Sequence, residues 1–187
     1  WDMHTKEILG VSLAENLAMV RESVAFLKAH KREVLFDAEH FFDGWKANKE
    51  YALEVLKTAE SAGASWLVLC DTNGGTLPDE VRTIVSDLRG KLRAPLAIHA
   101  HNDCECAVAN SLAAVSAGAT QVHGTLNGFG ERTGNANLCS VIPALQVKMG
   151  IDCVSGAQLQ GLRSLSMFAF EMATRSPRLN LPRTILY

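Results

Sequence analysis

Two kinds of hydrophobic pattern alternate along the chain. In the first kind, apolar residues recur every three or four positions, as Leu13, Leu17, Val20 and Val24 do, which predicts an amphipathic helix. In the second kind, a short continuous apolar run stops at polar residues, which is typical of a buried strand. The first pattern predicts helices over residues 12–30, 48–62, 76–89, 104–117, 137–147 and 155–173, and the second predicts strands over 33–40, 66–70, 95–100 and 121–124.

Local signals mark several helix ends. Ser12 with Glu15, and Thr76 with Asp79, stand at capping-box spacing. Gly63 follows the second predicted helix, where a glycine is typical of a helix end. These signals place the helices between the strands.

The predicted strand centres lie about 25 to 33 residues apart, which is the length of a strand plus a crossover helix in a parallel sheet. This order of elements favours either a doubly wound sheet or a (β/α)8 barrel. A barrel of eight units needs roughly 250 residues, whereas this sequence predicts four strands. The barrel interpretation therefore predicts half a barrel, with open sheet edges that another segment or chain covers.

Composition and charge narrow the class of protein. The 187 residues are 48% hydrophobic and carry 18 basic and 20 acidic side chains, as an ordinary globular chain does. The sequence contains no cluster of Lys and Arg, so nothing in it predicts nucleic-acid binding. No apolar run of about 18 residues and no signal-peptide pattern is present, so we expect neither membrane insertion nor secretion and place the chain in the cytoplasm.

The five cysteines predict free thiols. They are an odd number without a C-x-x-C pair, which makes a disulfide framework improbable. Cys104 and Cys106 leave a structural zinc site open as an alternative, although C-x-C lacks the usual spacing. The cysteines are Cys70, Cys104, Cys106, Cys139 and Cys153.

Two histidines close the third predicted strand, in the stretch AIHAHND. Side chains two apart on a strand point to the same side, so His99 and His101 are expected to converge. Two imidazoles on one face can bind a single divalent ion, and the carboxyl end of a strand is where barrels and open α/β sheets place their sites. The alternative is a pair of histidines with ordinary hydrogen-bond partners.

The other predicted strands also end in polar groups. Glu39 and His40 end the first strand, Asp71 and Thr72 the second, and His123 the fourth. Each could instead be a helix cap, a turn residue or an ion-pair partner. Together they predict one site at a common rim.

The stretch GFGERTGN supplies a glycine-rich loop. Gly128, Gly130 and Gly134 could let backbone amides approach an anion, aided by the start of the next helix. The loop lacks the Gly-Lys-Ser/Thr of a P-loop and the spacing of the dinucleotide fingerprint. Arg132 could bind a carboxylate or phosphate, or could simply be neutralised by Glu131.

HAHND, DTNGG and GFGERTGN together resemble motifs of the isopropylmalate, homocitrate and citramalate synthase family. These are metal-dependent TIM-barrel acyltransferases related to hydroxymethylglutaryl-CoA lyase. DAEHFFDGWKANKEYA and LCDTNGGTLP are most similar to the citramalate synthase branch. The resemblance implies the carboxyl-terminal half of a TIM barrel over residues 1–173, roughly units five to eight with a terminal helix, and at 174–187 the start of a linker to a downstream domain that is absent.

The resemblance also implies roles at the metal and the oxo acid. His99 and His101 correspond to metal ligands, and Asn135 is expected near the ion as a further ligand. Glu39 corresponds to a glutamate implicated in acid/base chemistry, and Thr72 to the residue that contacts the carboxylate of the 2-oxo acid. The ion is Mn, Mg, Zn or Co, all of which accept nitrogen and oxygen ligands.

The acyl-CoA side of the implied site contains Gly130, Glu131 and Arg132. In this family the ion chelates the 2-oxo acid and polarises its ketone, and the enol of acetyl-CoA attacks it. Hydrolysis of the thioester completes the reaction. The implied substrates are acetyl-CoA with pyruvate, 2-oxoisovalerate or 2-oxoglutarate, in branched-chain amino-acid biosynthesis.

One family motif is missing from the sequence. The opening D-x-x-R-D-G strand, which carries an aspartate ligand and a catalytic arginine, does not occur. We therefore expect this chain alone to be inactive, and to pair as a homodimer or with the missing barrel half. Two alternatives stay open: a lyase of the hydroxymethylglutaryl-CoA type, which should carry a cysteine in the glycine-rich loop, and a non-catalytic assembly module.

Overall fold

A computed structural model describes residues 1–173, so the predicted linker at 174–187 lies outside the described residues. The described part contains a parallel sheet whose four strands are hydrogen-bonded in chain order. The strands are β1 (Leu35–Ala38), β2 (Trp66–Asp71), β3 (Leu96–Ala100) and β4 (Gln121–His123). The predicted parallel arrangement is confirmed.

Helices precede, connect and follow the strands. Two lie before β1, two between β1 and β2, and one in each of the next two crossovers. The α-helices are α1 (Asp2–Glu7), α2 (Leu13–Ala29), α3 (Phe41–Ala47), α4 (Lys49–Ala62), α5 (Pro78–Arg89), α6 (Ala107–Ala117), α7 (Leu138–Pro143) and α8 (Gly156–Ala173). A 3₁₀ turn at Leu126–Gly128 follows β4, and a π-helical segment at Ala144–Lys148 follows α7.

The two faces of the sheet have different surroundings. Leu69 and Ile98 are partners in register and are fully buried in the main core, together with Leu56 of α4 and Val85 of α5. Because side chains alternate along a strand, the neighbouring positions face the other way. There Val68, Cys70 and Ala97 form a separate buried cluster with Trp66.

The helix ends follow recognisable signals. The Ser12 hydroxyl accepts from the Glu15 amide (3.1 Å), and the Asn48 side chain accepts from the Tyr51 amide (3.1 Å). Each satisfies an amide that the first helical turn leaves unpaired. Gly63 ends α4 in the left-handed conformation, as its position in the sequence predicted.

The capping role predicted for Thr76 is wrong. Helix α5 begins at Pro78, and the Glu80 side chain accepts from the Leu77 amide (3.1 Å). The Thr76 hydroxyl donates instead to the buried Asp71 carboxylate (2.8 Å). A carboxylate is a stronger acceptor than a neutral group, so the threonine is held there and not at the helix.

Two short helices were not predicted, and one predicted helix differs. Helix α3 follows β1 within three residues, and its buried Phe41 and Trp45 lie one helical turn apart. Helix α1 has six residues, which is too short for a clear periodic signal. The helix predicted over 137–147 is α-helical only as far as Pro143. Proline has no backbone N–H to continue the α-helical hydrogen bonds, and a π-helical segment follows it.

The cysteines in the described residues are free, as predicted. Cys70 and Cys139 are buried, whereas Cys104 and Cys153 are exposed. None of the helices in residues 1–173 combines the length and apolar character that a membrane span needs.

Candidate functional site

The carboxyl ends of the four strands lie at one edge of the parallel sheet, and polar residues follow each strand there. Glu39 comes directly after β1, Thr72 after β2 and His101 after β3, while His123 ends β4. Asn135 belongs to the loop after β4 and forms an isolated antiparallel bridge with His101. The structure thus places Glu39, Thr72 and the two histidines along one rim, whereas Asp71, which was also predicted there, is buried.

The imidazoles of His99 and His101 converge. Their Nε2 atoms lie 3.3 Å apart, and their ring centroids are 5.2 Å apart with the planes tilted by 56°. His101 is buried, and within the described residues its Nδ1 atom has no hydrogen-bond partner. Burial lowers the pKa of His99, and the neighbouring His101 lowers it further. A low pKa favours neutral imidazole, which is the form that binds metals.

The spacing of these nitrogens fits two ligands of one ion. Two atoms that each lie about 2.1 Å from an ion, at a tetrahedral angle, are about 3.4 Å apart. The observed separation is 3.3 Å. Among residues 1–173, no three His, Cys, Asp or Glu side chains converge in this way. The imidazoles therefore fit part of a coordination shell, which an amide oxygen, water or substrate would have to complete.

Asn135 lies beside the histidine pair. Its amide nitrogen donates to the Phe129 carbonyl (3.3 Å), so the side-chain oxygen is the atom that remains to act as a ligand. Its backbone amide donates to the Gly128 carbonyl (3.0 Å), and the backbone of Asn102 donates to the Gly134 carbonyl (3.0 Å). The bond from Asn102 joins the exit of β3 to the loop after β4, and the bonds of Asn135 close that loop on itself.

The glycines of this loop allow close packing. A Cβ at Gly130 would overlap the amide nitrogen of Asn135, and a Cβ at Gly134, whose φ is +99°, would overlap the Gly128 carbonyl. The amides of Gly128 and Gly134 are bonded to carbonyls within the loop region. Asn137 caps the short helix that follows. The glycines thus shape the loop around Asn135, and their contact with an anion stays a prediction.

Thr72 connects the exits of β1 and β2. Its hydroxyl oxygen accepts from the His40 amide (2.9 Å), which leaves the hydroxyl hydrogen free to donate to another group. Glu39, the neighbour of His40, is exposed. His40 itself lies 3.4 Å from the Asp43 carboxylate. The candidate acid/base residue and the candidate carboxylate contact are therefore held by adjoining backbone.

Arg132 has partners on two other exit loops. Its Nε and Nη2 donate to the two carboxylate oxygens of Asp103 (2.8 and 2.9 Å), and Nη2 also donates to the Thr72 carbonyl (2.6 Å). Asp103 holds the pKa of the guanidinium above its usual value. The carboxylate partner that the sequence allowed for is therefore Asp103 of the chain itself, and not the adjacent Glu131.

A buried polar network lies beneath the rim. The Asp71 carboxylate accepts from the Thr76 hydroxyl (2.8 Å), the Thr76 amide (3.3 Å) and the Asn110 side chain (3.2 Å). Asn110 belongs to α6 and is fully buried. Sequence reasoning missed it, although a polar residue among the alanines on the inner face of α6 was a usable signal.

Left-handed backbone is concentrated at the strand exits. Non-glycine residues with positive φ occur after β1 (His40, +54°), after β3 (Glu105, +55°) and after β4 (Asn127, +59°, and Arg132, +55°). Such conformations cost free energy and persist where the surroundings hold them. Asn127 and His40 are of residue types in which this conformation is enriched, whereas Glu105 and Arg132 are not.

The four parallel strands, paired in chain order with a helix in each crossover, define the class: part of a (β/α)8-type domain. Comparison with known proteins identifies the family. The chain belongs to the HMGL-like family, whose sequence model matches residues 2–168. The family relationship indicated by the motifs is therefore confirmed.

Several relatives are similar over nearly the whole chain. The chain is 58% identical to the (R)-citramalate synthase of Geobacter sulfurreducens, with 95% of this chain and 34% of that protein covered. It is 55% identical to the (R)-citramalate synthase of Aquifex aeolicus, with 97% and 35% covered. The chain thus spans about a third of the length of these curated relatives.

A solved structure supports the fold. The HMG-CoA lyase of Bacillus subtilis superposes with a TM-score of 0.76 at 21% identity, with 96% of this chain and 62% of that chain covered. At this identity the likeness concerns the fold alone. It agrees with the half-barrel that the motif resemblance implied, where the spacing of the strands alone had left a doubly wound sheet open as well.

Proposed function

We propose that this chain forms part of an acyltransferase that condenses acetyl-CoA with a small 2-oxo acid, with pyruvate as the favoured acceptor and citramalate as the product. The observation that carries the proposal is the convergence of the His99 and His101 Nε2 atoms, 3.3 Å apart, at the carboxyl end of β3. Identities of 58% and 55% to (R)-citramalate synthases support the choice of pyruvate.

In the proposed site, His99 and His101 hold a divalent ion, with the Asn135 side-chain oxygen as a further ligand. Such an ion supplies Lewis-acid polarisation of the ketone. His101 is buried and its Nδ1 has no hydrogen-bond partner in residues 1–173, so Nε2, which faces His99, is the nitrogen that would bind the ion. Burial lowers the pKa of His99, which favours the neutral imidazole that binds an ion without the cost of deprotonation.

Thr72 and Glu39 act on the organic substrates. The Thr72 hydroxyl accepts from the His40 amide, so its hydrogen points away from that bond and can donate to the carboxylate of the 2-oxo acid. Glu39 takes the proton from the methyl group of the acetyl thioester, so that the carbon can attack the ketone. Gly130 and Glu131 line the acyl-CoA side.

The proposal is tested with the full-length protein. Acetyl-CoA-dependent thiol release is measured with pyruvate, 2-oxoisovalerate and 2-oxoglutarate, and the product is identified by mass spectrometry. Pyruvate is expected to give the highest kcat/KM and a citramalate product. A protein that releases thiol with none of the three acids would contradict the proposed reaction.

A retro-aldol lyase is the second candidate, because the histidine pair and the fold suit it equally. A lyase of this type should carry a cysteine in the glycine-rich loop, and GFGERTGN has none. Cys139 lies beyond the loop on α7 and is fully buried. Cleavage of hydroxymethylglutaryl-CoA to acetoacetate, measured beside thiol release, would favour this candidate.

We further propose a cytoplasmic protein that works as a homodimer or with the remaining part of a barrel. Helix α8 carries an exposed apolar surface that a partner could cover, because Met167 and Phe168 are 57% and 60% exposed. Large exposed apolar groups next to one another mark interaction surfaces. Light scattering of the purified full-length protein measures its mass in solution, and a monomer would contradict the dimer.

A further inference from the structure

We propose that Arg132 is a positioning residue, which fixes the exit loops of β2, β3 and β4 relative to one another and so aligns the candidate metal ligands with Thr72. This inference rests on the proposed function for its kinetic consequences. Its structural core is the set of contacts that one guanidinium makes with two other loops.

The guanidinium of Arg132 forms its hydrogen bonds with other groups of the protein. Nε and Nη2 form a fork onto the two oxygens of Asp103 (2.8 and 2.9 Å), and Nη2 gives its remaining hydrogen to the Thr72 carbonyl (2.6 Å). A bidentate pair fixes direction as well as distance. Every hydrogen on Nε and Nη2 is therefore engaged, and that edge of the group is closed to an acyl-CoA phosphate.

These contacts reach the candidate site through short stretches of backbone. Asp103 follows His101 by two residues, and Arg132 precedes Asn135 by three. Thr72 offers its carbonyl to Arg132 and its hydroxyl to the His40 amide. One side chain thus links the loops that carry a metal ligand, an amide ligand and the carboxylate contact.

Gly74 makes room for this arrangement. A Cβ at Gly74 would lie 2.5 Å from the Asp103 carboxylate and 2.7 Å from its amide nitrogen. The Gly74 carbonyl accepts from the Cys104 amide (3.1 Å). The turn after β2 therefore contacts the turn after β3 closely at the residue that Arg132 binds.

The partial exposure of the Arg132 and Asp103 side chains indicates that their ion pair contributes little to the free energy of unfolding. Its main effect is then on the positions of the loops. The side chains of Arg132 and Asp103 are 44% and 26% exposed. Exposed ion pairs add little to folding stability, because water screens the charges. A small displacement of reacting groups, in contrast, changes rates strongly, and about 1 Å costs about 100-fold.

The first test separates positioning from acyl-CoA binding in the full-length protein. Arg132→Lys, Arg132→Gln and Asp103→Asn are each expected to lower kcat about 10- to 100-fold, with the KM for acetyl-CoA within about twofold of wild type. The lysine variant is expected to fail because one ammonium cannot replace the fork. A KM for acetyl-CoA raised more than about tenfold, with kcat unchanged, would overturn the proposal.

A double variant tests the link between the two side chains. Because Arg132 and Asp103 act through one contact, Arg132→Gln with Asp103→Asn is expected to be no slower than either single variant. Multiplied losses would show that the residues act independently and would contradict the inference. The matched control is Arg82→Gln, which removes the exposed Arg82–Asp79 pair (3.0 Å) on α5 and is expected to leave kcat unchanged.

Hydrogen exchange keeps the test independent of the reaction. In Arg132→Gln, faster exchange is expected at the amides of His101, Asn102 and Cys104, which bond across the exit loops to Asp71, Gly134 and Gly74. Exchange unchanged from wild type would overturn the positioning role. If the wild-type protein turned over no 2-oxo acid, the proposed function would be contradicted. The exchange rates of Arg132→Gln would still show whether Arg132 positions the loops.

Discussion

The Nε2 atoms of His99 and His101 lie 3.3 Å apart at the end of β3, a separation that suits either a shared proton or a shared ion. Because His101 is buried and its other ring nitrogen has no partner in residues 1–173, the pair has few ways to satisfy its polar atoms. A shared divalent ion is the arrangement that the proposed function requires.

Removing one imidazole should therefore weaken metal binding. His101→Ala is expected to lower the affinity for Co²⁺ or Mn²⁺ more than about 100-fold, because even residues that only support a ligand are worth about 10- to 100-fold. Titration calorimetry with the metal alone measures the change.

His30→Ala is the matched control for this prediction. His30 is exposed at the end of α2, and its Nδ1 contacts the Phe26 carbonyl at 2.8 Å, remote from the rim in sequence and in the fold. Its loss should leave metal affinity unchanged. Equal binding by wild type and His101→Ala would remove the ligand assignment.

Gly130 is expected to be intolerant of any side chain. A Cβ there would overlap the amide nitrogen of Asn135, which itself donates to the Phe129 carbonyl. Gly130→Ala must displace Asn135, so it is expected to weaken metal binding about tenfold by disturbing a ligand. The same titration measures this, and an unchanged affinity would show that Asn135 is not a ligand or that the loop adapts.

Gly161→Ala gives the opposite expectation. Gly161 lies inside α8 with nothing within 4 Å of an added Cβ. Alanine in a helix interior is favoured over glycine by roughly 0.5–1 kcal/mol, since the unfolded chain loses less conformational freedom. Thermal unfolding should show a higher Tm with metal affinity unchanged, whereas a lower Tm would indicate a contact that the structure does not contain.

Much of the fold could be predicted because its signals are local and repeated. Helical spacing and short apolar runs recur in each unit, and Gly63 and Ser12 mark helix ends by their own chemistry. The convergence of His99 and His101 also follows from a local rule, the alternation of side chains along a strand.

The remainder depended on contacts between distant residues. Thr76 stands at capping spacing, yet the Asp71 carboxylate, itself bonded to Asn110 of α6, binds it instead. Arg132 has an acidic neighbour in sequence, yet its partner is Asp103, 29 residues earlier. No periodicity predicts such pairs, since their free energies arise only once the loops are assembled.

The Asp71 network should contribute to stability through hydrogen bonds and not through charge. Asp71→Ala leaves donors of Thr76 and Asn110 without an acceptor in a buried place, which is expected to cost about 3 kcal/mol. Asp71→Asn can keep all three contacts, because its amide oxygen accepts from the Thr76 amide and Asn110 while its nitrogen donates to the Thr76 hydroxyl, so that only the hydroxyl hydrogen loses its acceptor. Urea denaturation of the purified protein should therefore rank the asparagine variant close to wild type, and equal losses in both variants would contradict this account.

The same residue predicts a pH dependence. Burial raises the pKa of Asp71 above 3.8, against the lowering effect of the Thr76 hydrogen bonds, so the folded state holds this proton more tightly than the unfolded state. The free energy of unfolding contributed by Asp71 is then greatest below the unfolded pKa and falls as pH rises through the folded pKa. Residue 71 of Asp71→Asn does not titrate. The titratable groups that both proteins share cancel when the free energy of unfolding of the variant is subtracted from that of wild type. The stability of wild type relative to Asp71→Asn should consequently decrease as pH is raised from below 3.8 toward neutrality. A relative stability that increased over this interval would mean that the three donors outweigh burial and that the carboxylate is favoured in the folded state.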